Sequence, residues 1–213
     1  MSQLRRFGMP RTGPRTSAAV LFVSALISQN ACVSARVAAV PPQPAQDSVY
    51  APVLERWTRK THVFSQFQNK IEISGVLLTD QMRKAVGERL ARLRGGTEGM
   101  SVLSDSSGGN RLGLLVSVYT PESAYLNFDD KSLWSLSLRV GPTQQAPVFV
   151  RRVFDKTTLE PFFSNIHLWS QDYLLVFDFP ENAVSQDSKS DTPLSEAEFS
   201  AQSALARVAL RWP

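Results

Sequence analysis

Residues 134–140 read WSLSLRV, with Trp134, Leu136, Leu138 and Val140 alternating against Ser135, Ser137 and Arg139 ahead of Gly141-Pro142. An apolar period of two is the mark of a strand with one buried face, and a Gly-Pro pair ends it. The same period recurs on both sides. Leu112, Leu114, Val116 and Val118 alternate before Thr120-Pro121, and Tyr173, Leu175, Phe177 and Phe179 alternate before Pro180. Residues 148–154 form a further strand, whose Arg151 and Arg152 suggest an edge or a solvent face. Upstream, Ile71, Ile73 and Leu77 alternate with Glu72 and Ser74, and at the far end Ala206, Val208, Leu210 and Trp212 alternate, which predicts an ordered C-terminus. The runs at 134–140 and 173–179 carry the largest apolar faces and are expected on central strands.

Two segments follow the helical period instead. Val53, Leu54, Trp57 and Phe64 share one side of a 3.6-residue repeat, with Pro52 in the first turn and Ser48 available as a cap, which predicts a helix over 51–62. Thr79-Asp80 caps a second helix over 80–94, on which Met82, Val86, Leu90 and Leu93 form a narrow stripe and Gly95-Gly96 provides the exit. The polar segment 181–195 reads as a long loop between the last two strands. Strands separated by Pro, Gly, Asn and Asp turns, without regular strand–helix alternation, predict a mainly β (α+β) fold. The expected form is an antiparallel β-sandwich, immunoglobulin-like in architecture, with the two amphipathic helices packed on one end or edge. The expected organisation is a signal peptide over 1–31, a Pro/Ala-rich tether over 32–48 and a single domain over 49–213.

The N-terminal reading rests on charge and length. Arg5, Arg6, Arg11 and Arg15 stand without an acid before the apolar run SAAVLFVSALI at 17–27. A basic stretch followed by a short apolar one is an export signal, and the run falls short of the roughly 20 apolar residues that cross a bilayer. Cys32, preceded by Gln29-Asn30-Ala31, resembles the lipid-modified cysteine of bacterial lipoproteins: Ala31 and Cys32 match that pattern and Gln29 and Asn30 depart from it. Ordinary cleavage after Val33-Ser34-Ala35 or Val37-Ala38-Ala39 is the competing reading and would discard Cys32. Residues 33–48, with Pro41, Pro42 and Pro44 among small side chains, lack the apolar bulk for a core and read as a tether.

Composition narrows the chemistry. The 213 residues carry 23 Lys and Arg against 19 Asp and Glu, one Cys and two His. A single cysteine excludes a disulfide framework and multi-cysteine metal clusters. Four of the basic residues are the arginines of 1–31, so the remainder balances its acids and gives no general electrostatic reason to bind nucleic acid. Arg83, Lys84, Arg89, Arg92 and Arg94 spread around the polar circumference of the second helix, as expected of a solvated face.

No nucleophile elbow, zinc-protease, phosphate-loop or CxxC motif occurs. His62 and His167 are the possible general bases, the latter beside Asp172, although each also reads as a surface or hydrogen-bonded structural histidine. Asn127, Asp129 and Asp130 supply oxygens for a calcium loop or, with one residue, for an Asx turn. Phe162, Phe163, Ile166, Leu168 and Trp169 form the most unusual patch, which either closes one end of the core or offers a partner a surface. No cofactor is expected.

The YxPxLExWT stretch at 50–58 and the SVYTP…DDKSLWSLSL stretch at 117–138, behind a signal segment and tether, resemble uncharacterised exported proteins and lipoproteins of Gram-negative bacteria. The resemblance implies an envelope location and transfers no activity. The expectation is an exported, membrane-tethered envelope protein, at the outer membrane facing the periplasm or the surface, acting as a non-enzymatic interaction or scaffold module. Its partners would be the bacterial membrane, through a lipid on Cys32, and an envelope protein. The alternative is a soluble periplasmic ligand-binding or hydrolytic domain with a loop-built site near Asn127–Asp130 and His167.

Overall fold

The computed structural model describes residues 43–65, 67–94, 103, 110–180 and 196–213. Cys32, the expected export segment and the loop expected over 181–195 lie outside the described residues. Two antiparallel sheets make up the fold. The five-stranded sheet contains β1 (Thr58–Ser65), β2 (Gln68–Leu78), β3 (Arg111–Tyr119), β6 (Phe149–Val153) and β7 (Gln171–Asp178), in the order β1-β2-β3-β7-β6. The four-stranded sheet contains β4 (Ser135–Val140), β5 (Thr143–Gln145), β8 (Ala197–Gln202) and β9 (Arg207–Trp212), in the order β5-β4-β8-β9. Taking β2 as strand A, the order β2-β3-β7-β6 against β5-β4-β8-β9 is A-B-E-D against C′-C-F-G, the Greek key of immunoglobulin-like sandwiches. The expected β-sandwich is present, with β1 added outside strand A. β4 and β7 are both flanked by strands on two sides, as their apolar faces require.

The sheets meet through alternate residues. Ile73, Gly75 and Leu77 face the second sheet from β2, and cross-strand register places Val118, Val116 and Leu114 beside them on β3, continuing to Tyr173 and Leu175 on β7. A Cβ at Gly75 would lie 2.8 Å from Leu210 Cδ1, so the layers approach too closely there for a larger residue without adjustment. Trp212 is buried and donates from Nε1 to the Trp57 carbonyl at 2.7 Å, tying the C-terminal strand to the first helix.

The opposite face of the five-stranded sheet is also covered. Helices α1 (Ala51–Trp57) and α2 (Asp80–Arg94) pack against β2, toward one edge of the sheet. Leu54 and Trp57 of α1 and Met82, Val86 and Leu90 of α2 are buried. α2 keeps its expected span, with Thr79 Oγ1 accepting from the Met82 amide.

Several expectations need correction. The first helix ends at Trp57 rather than continuing to 62, because the segment TRKTHVFS pairs with β2 as β1. His62 therefore lies on a strand. Ser48 is not the cap, since Asp47 Oδ1 accepts from the amides of Val49 and Tyr50. The tether boundary at 48 falls inside packed chain: Pro44 is buried, and Asp47 Oδ2 accepts from Arg89 Nη1 at 2.6 Å and Arg92 Nη2 at 2.8 Å. Arg89 is fully buried, not part of a solvated face, and its guanidinium lies over the Tyr50 ring. Strand β8, AEFSAQ, has too small an apolar face to stand out in the sequence and completes the sheet between β4 and β9.

Candidate functional site

The connections β3–β4 (120–134), β6–β7 (154–170) and β8–β9 (203–206) lie at the same end of the sandwich as the β1–β2 turn. This end holds the residues singled out by sequence, in three separate settings.

The first is a plug. Phe128 is buried between Trp134, at 4.6 Å between ring centroids, and Tyr173, at 5.7 Å. Tyr173 Oη donates to the Leu126 carbonyl and Trp134 Nε1 to the Tyr125 carbonyl at 3.0 Å, closing the core. Asp130 starts an Asx turn, accepting from Ser132 N at 2.8 Å and Ser132 Oγ at 2.6 Å, and these bonds hold its carboxyl below the usual range. Asn127, Asp129 and Asp130 share their recess with Arg152, whose positive charge opposes a bound cation. Among the described residues no three His, Cys, Asp or Glu side chains are grouped so as to hold a metal ion. Of the two readings of this segment, the Asx turn is the one whose hydrogen bonds Asp130 makes.

The second is the anchor of the 154–170 loop. On the helix-covered face of the five-stranded sheet, register aligns Ser74, Ser117 and Asp172 in one row, all buried. Lys156, in the short helix α3 (Lys156–Leu159), reaches Asp172 Oδ2 at 3.1 Å and donates to the carbonyls of His167 and Ser170. Ser170 Oγ donates to Asp172 Oδ1 at 2.9 Å, and Asn165 Nδ2 donates to Ser117 Oγ at 3.0 Å. Asp172 is fully buried and Lys156 half-buried, so the carboxylate's charge is met by an ion pair and a hydrogen bond, and these bonds converge on one loop. Asp172 is thus committed to Lys156 and Ser170, so the suggested pairing with His167 as a general base is not formed.

The aromatic patch divides at this anchor. Phe162, Phe163 and Ile166 are buried, and Tyr50 Oη donates to the Phe162 carbonyl at 2.8 Å while Arg89 Nε donates to that of Pro161 at 3.1 Å. These three residues complete the core and are not a partner surface. Leu168 and Trp169, by contrast, are 77% and 73% exposed.

The third setting is a cleft of about 410 Å³ bounded by Glu72, Tyr119, His167 and Trp169. Glu72 and Tyr119 are cross-strand partners on β2 and β3. The His167 ring lies 6.4 Å from that of Tyr119. His62, paired with Glu72 on β1, brings Nδ1 to 3.4 Å from Glu72 Oε2 and stacks on the exposed Phe64; Lys60 also pairs with Glu72. Sequence reading found His167 and Trp169 but not Glu72 or Tyr119 as site residues. Their available signal was an acid and a tyrosine at strand positions on the face away from the apolar period, and only register brings them together. Comparison with protein-family models, with curated proteins and with solved structures returns no match for this chain.

Proposed function

We propose that the protein is an exported, non-enzymatic binding module of the bacterial envelope, tethered to a membrane through a lipid on Cys32. The observation carrying the binding reading is the way the 154–170 loop is built: Lys156 pairs with the buried Asp172 and fixes the loop's base while Leu168 and Trp169 stand in solvent. A large exposed apolar pair on a pinned turn suits recognition, because little ordering entropy remains to be lost when a partner binds. The Arg-rich leader and the 17–27 apolar run support export, and the alanine before Cys32 supports lipidation. Among the described residues no helix is long and apolar enough to cross a membrane.

The alternative of a periplasmic ligand-binding domain draws on one specific observation, the cleft that His167 shares with Glu72 and Tyr119. Its hydrolytic form lacks the His167–Asp172 couple. Two experiments separate the readings. Fatty-acid labelling of wild type and Cys32→Ser should mark only the wild type; unlabelled wild type defeats the anchor. Affinity capture from solubilised membranes should recover a partner that Trp169→Ala loses and His167→Gln/Asp129→Asn retains. Loss of activity in that double variant alone would favour the ligand-site alternative.

A further inference from the structure

We propose that the Glu72–Tyr119–His167–Trp169 cleft is a carbohydrate-binding subsite that takes a pyranose ring, with Trp169 as its stacking platform. The inference rests on the ligand-binding reading of that cleft and names its ligand class. The chain has four tryptophans. Trp57, Trp134 and Trp212 are buried, and their indole N–H groups donate to Gln81 Oε1, the Tyr125 carbonyl and the Trp57 carbonyl. Trp169 alone of the four is exposed, and its turn is fixed: the Ser170 amide donates to the His167 carbonyl at 3.1 Å, Lys156 Nζ donates to that carbonyl at 2.9 Å, and the His167 amide donates to Ser170 Oγ at 3.2 Å. The backbone that carries the indole is therefore held in place, and the ring stands in solvent instead of collapsing onto the core.

The rest of the lining selects the ligand class. A carboxylate accepts hydrogen bonds, and a phenol and a neutral imidazole both donate and accept, so the cleft matches a ligand bearing several hydroxyls. An indole face, negative at its centre, matches polarised C–H groups. A pyranose ring joins those two features, with one C–H face and hydroxyls around its edge. An organic cation is matched less well because Lys60 already pairs with Glu72. An anion would meet that carboxylate. The volume of about 410 Å³ lies in the usual range of small-ligand sites, ~300–1,000 Å³.

Acrylamide quenching of tryptophan fluorescence in the full chain isolates Trp169, the accessible indole. Chitotetraose, cellotetraose and maltotetraose are titrated separately, with choline and arginine as cation controls, and calorimetry supplies affinities. At least one oligosaccharide should shield Trp169. Trp169→Ala should weaken that binding roughly tenfold or more, and Glu72→Gln roughly three- to tenfold, with an unchanged thermal midpoint. Trp169→Phe should retain most of it. Shielding by choline or arginine without an oligosaccharide overturns the assignment, as does oligosaccharide binding that survives Trp169→Ala. Absence of sugar binding together with Trp169-dependent capture of a protein overturns the subsite and leaves the binding module standing; loss of both defeats both.

Discussion

The two sheets obey different burial rules. In the four-stranded sheet β9 alternates strictly between buried and exposed residues, and β4 and β8 keep the same period, with one face on the core and one toward water. In the five-stranded sheet β3 and β7 are buried almost continuously, because helices and the 159–166 segment cover the second face. Half-buried sheets can carry charge on the outer face at small cost, whereas in a sheet covered on both sides every outward polar group needs a dedicated partner. Glu198, partly solvated and bridged by Arg139 and Arg211, illustrates the first case; Asp172, completely buried, the second.

The difference gives a graded series of tests. Lys156→Met leaves Asp172 buried without its cation and should cost about 3–5 kcal/mol by urea unfolding, with Asp172→Leu recovering much of the loss in the double variant. An equally stable single variant would mean that the second face is not sealed. Leu115→Ala, on the covered face of β3, should cost about 2–5 kcal/mol, while Ala209→Ser on the open face of β9 should stay within about 0.5 kcal/mol. Similar values for the pair would erase the distinction between the sheets.

Asp47 tests how the cover is fastened. Burial alone would raise its carboxyl, but bonds from Arg92, the Tyr50 amide, Arg89 and the Val49 amide outweigh that and hold it well below the usual carboxylate range. A depressed folded pKa gives stability that is full above the unfolded value, about 3.9, and is lost as pH falls below it. Thermal midpoints should therefore drop with acid through that window, and Asp47→Asn should flatten the slope while costing about 1–3 kcal/mol at neutral pH. Glu198→Gln should cost under about 1 kcal/mol, less at high salt.

The sequence was informative where one residue period sufficed. WSLSLRV contains only the alternation of a half-buried strand, and it is one. RLGLLVSVY and QDYLLVFD satisfy the same test through Leu114 or Leu175, but Leu115, Leu174 and Val176 fill the other face as well. Those extra apolar residues were the visible trace of a third layer. β1 was hidden because Trp57 and Phe64 also fit a helical spacing, although the chain changes from helix to strand between them. The cleft was less legible still. Glu72, Tyr119 and His167 are distant in sequence, and no local pattern encodes the register that joins them.

The Asp47 clamp also sets a length. Fourteen residues lie between Cys32 and Asp47, fifteen steps along the chain, and each step spans at most ~3.6 Å, so a lipid on Cys32 would keep the domain's mooring within about 50 Å of the membrane. Confinement on that scale replaces bulk concentration with a local one that reaches the millimolar range for short linkers. A site too weak to hold a free ligand could then remain occupied in a crowded envelope layer, and the short leash would do for occupancy what tight binding does for a protein in solution.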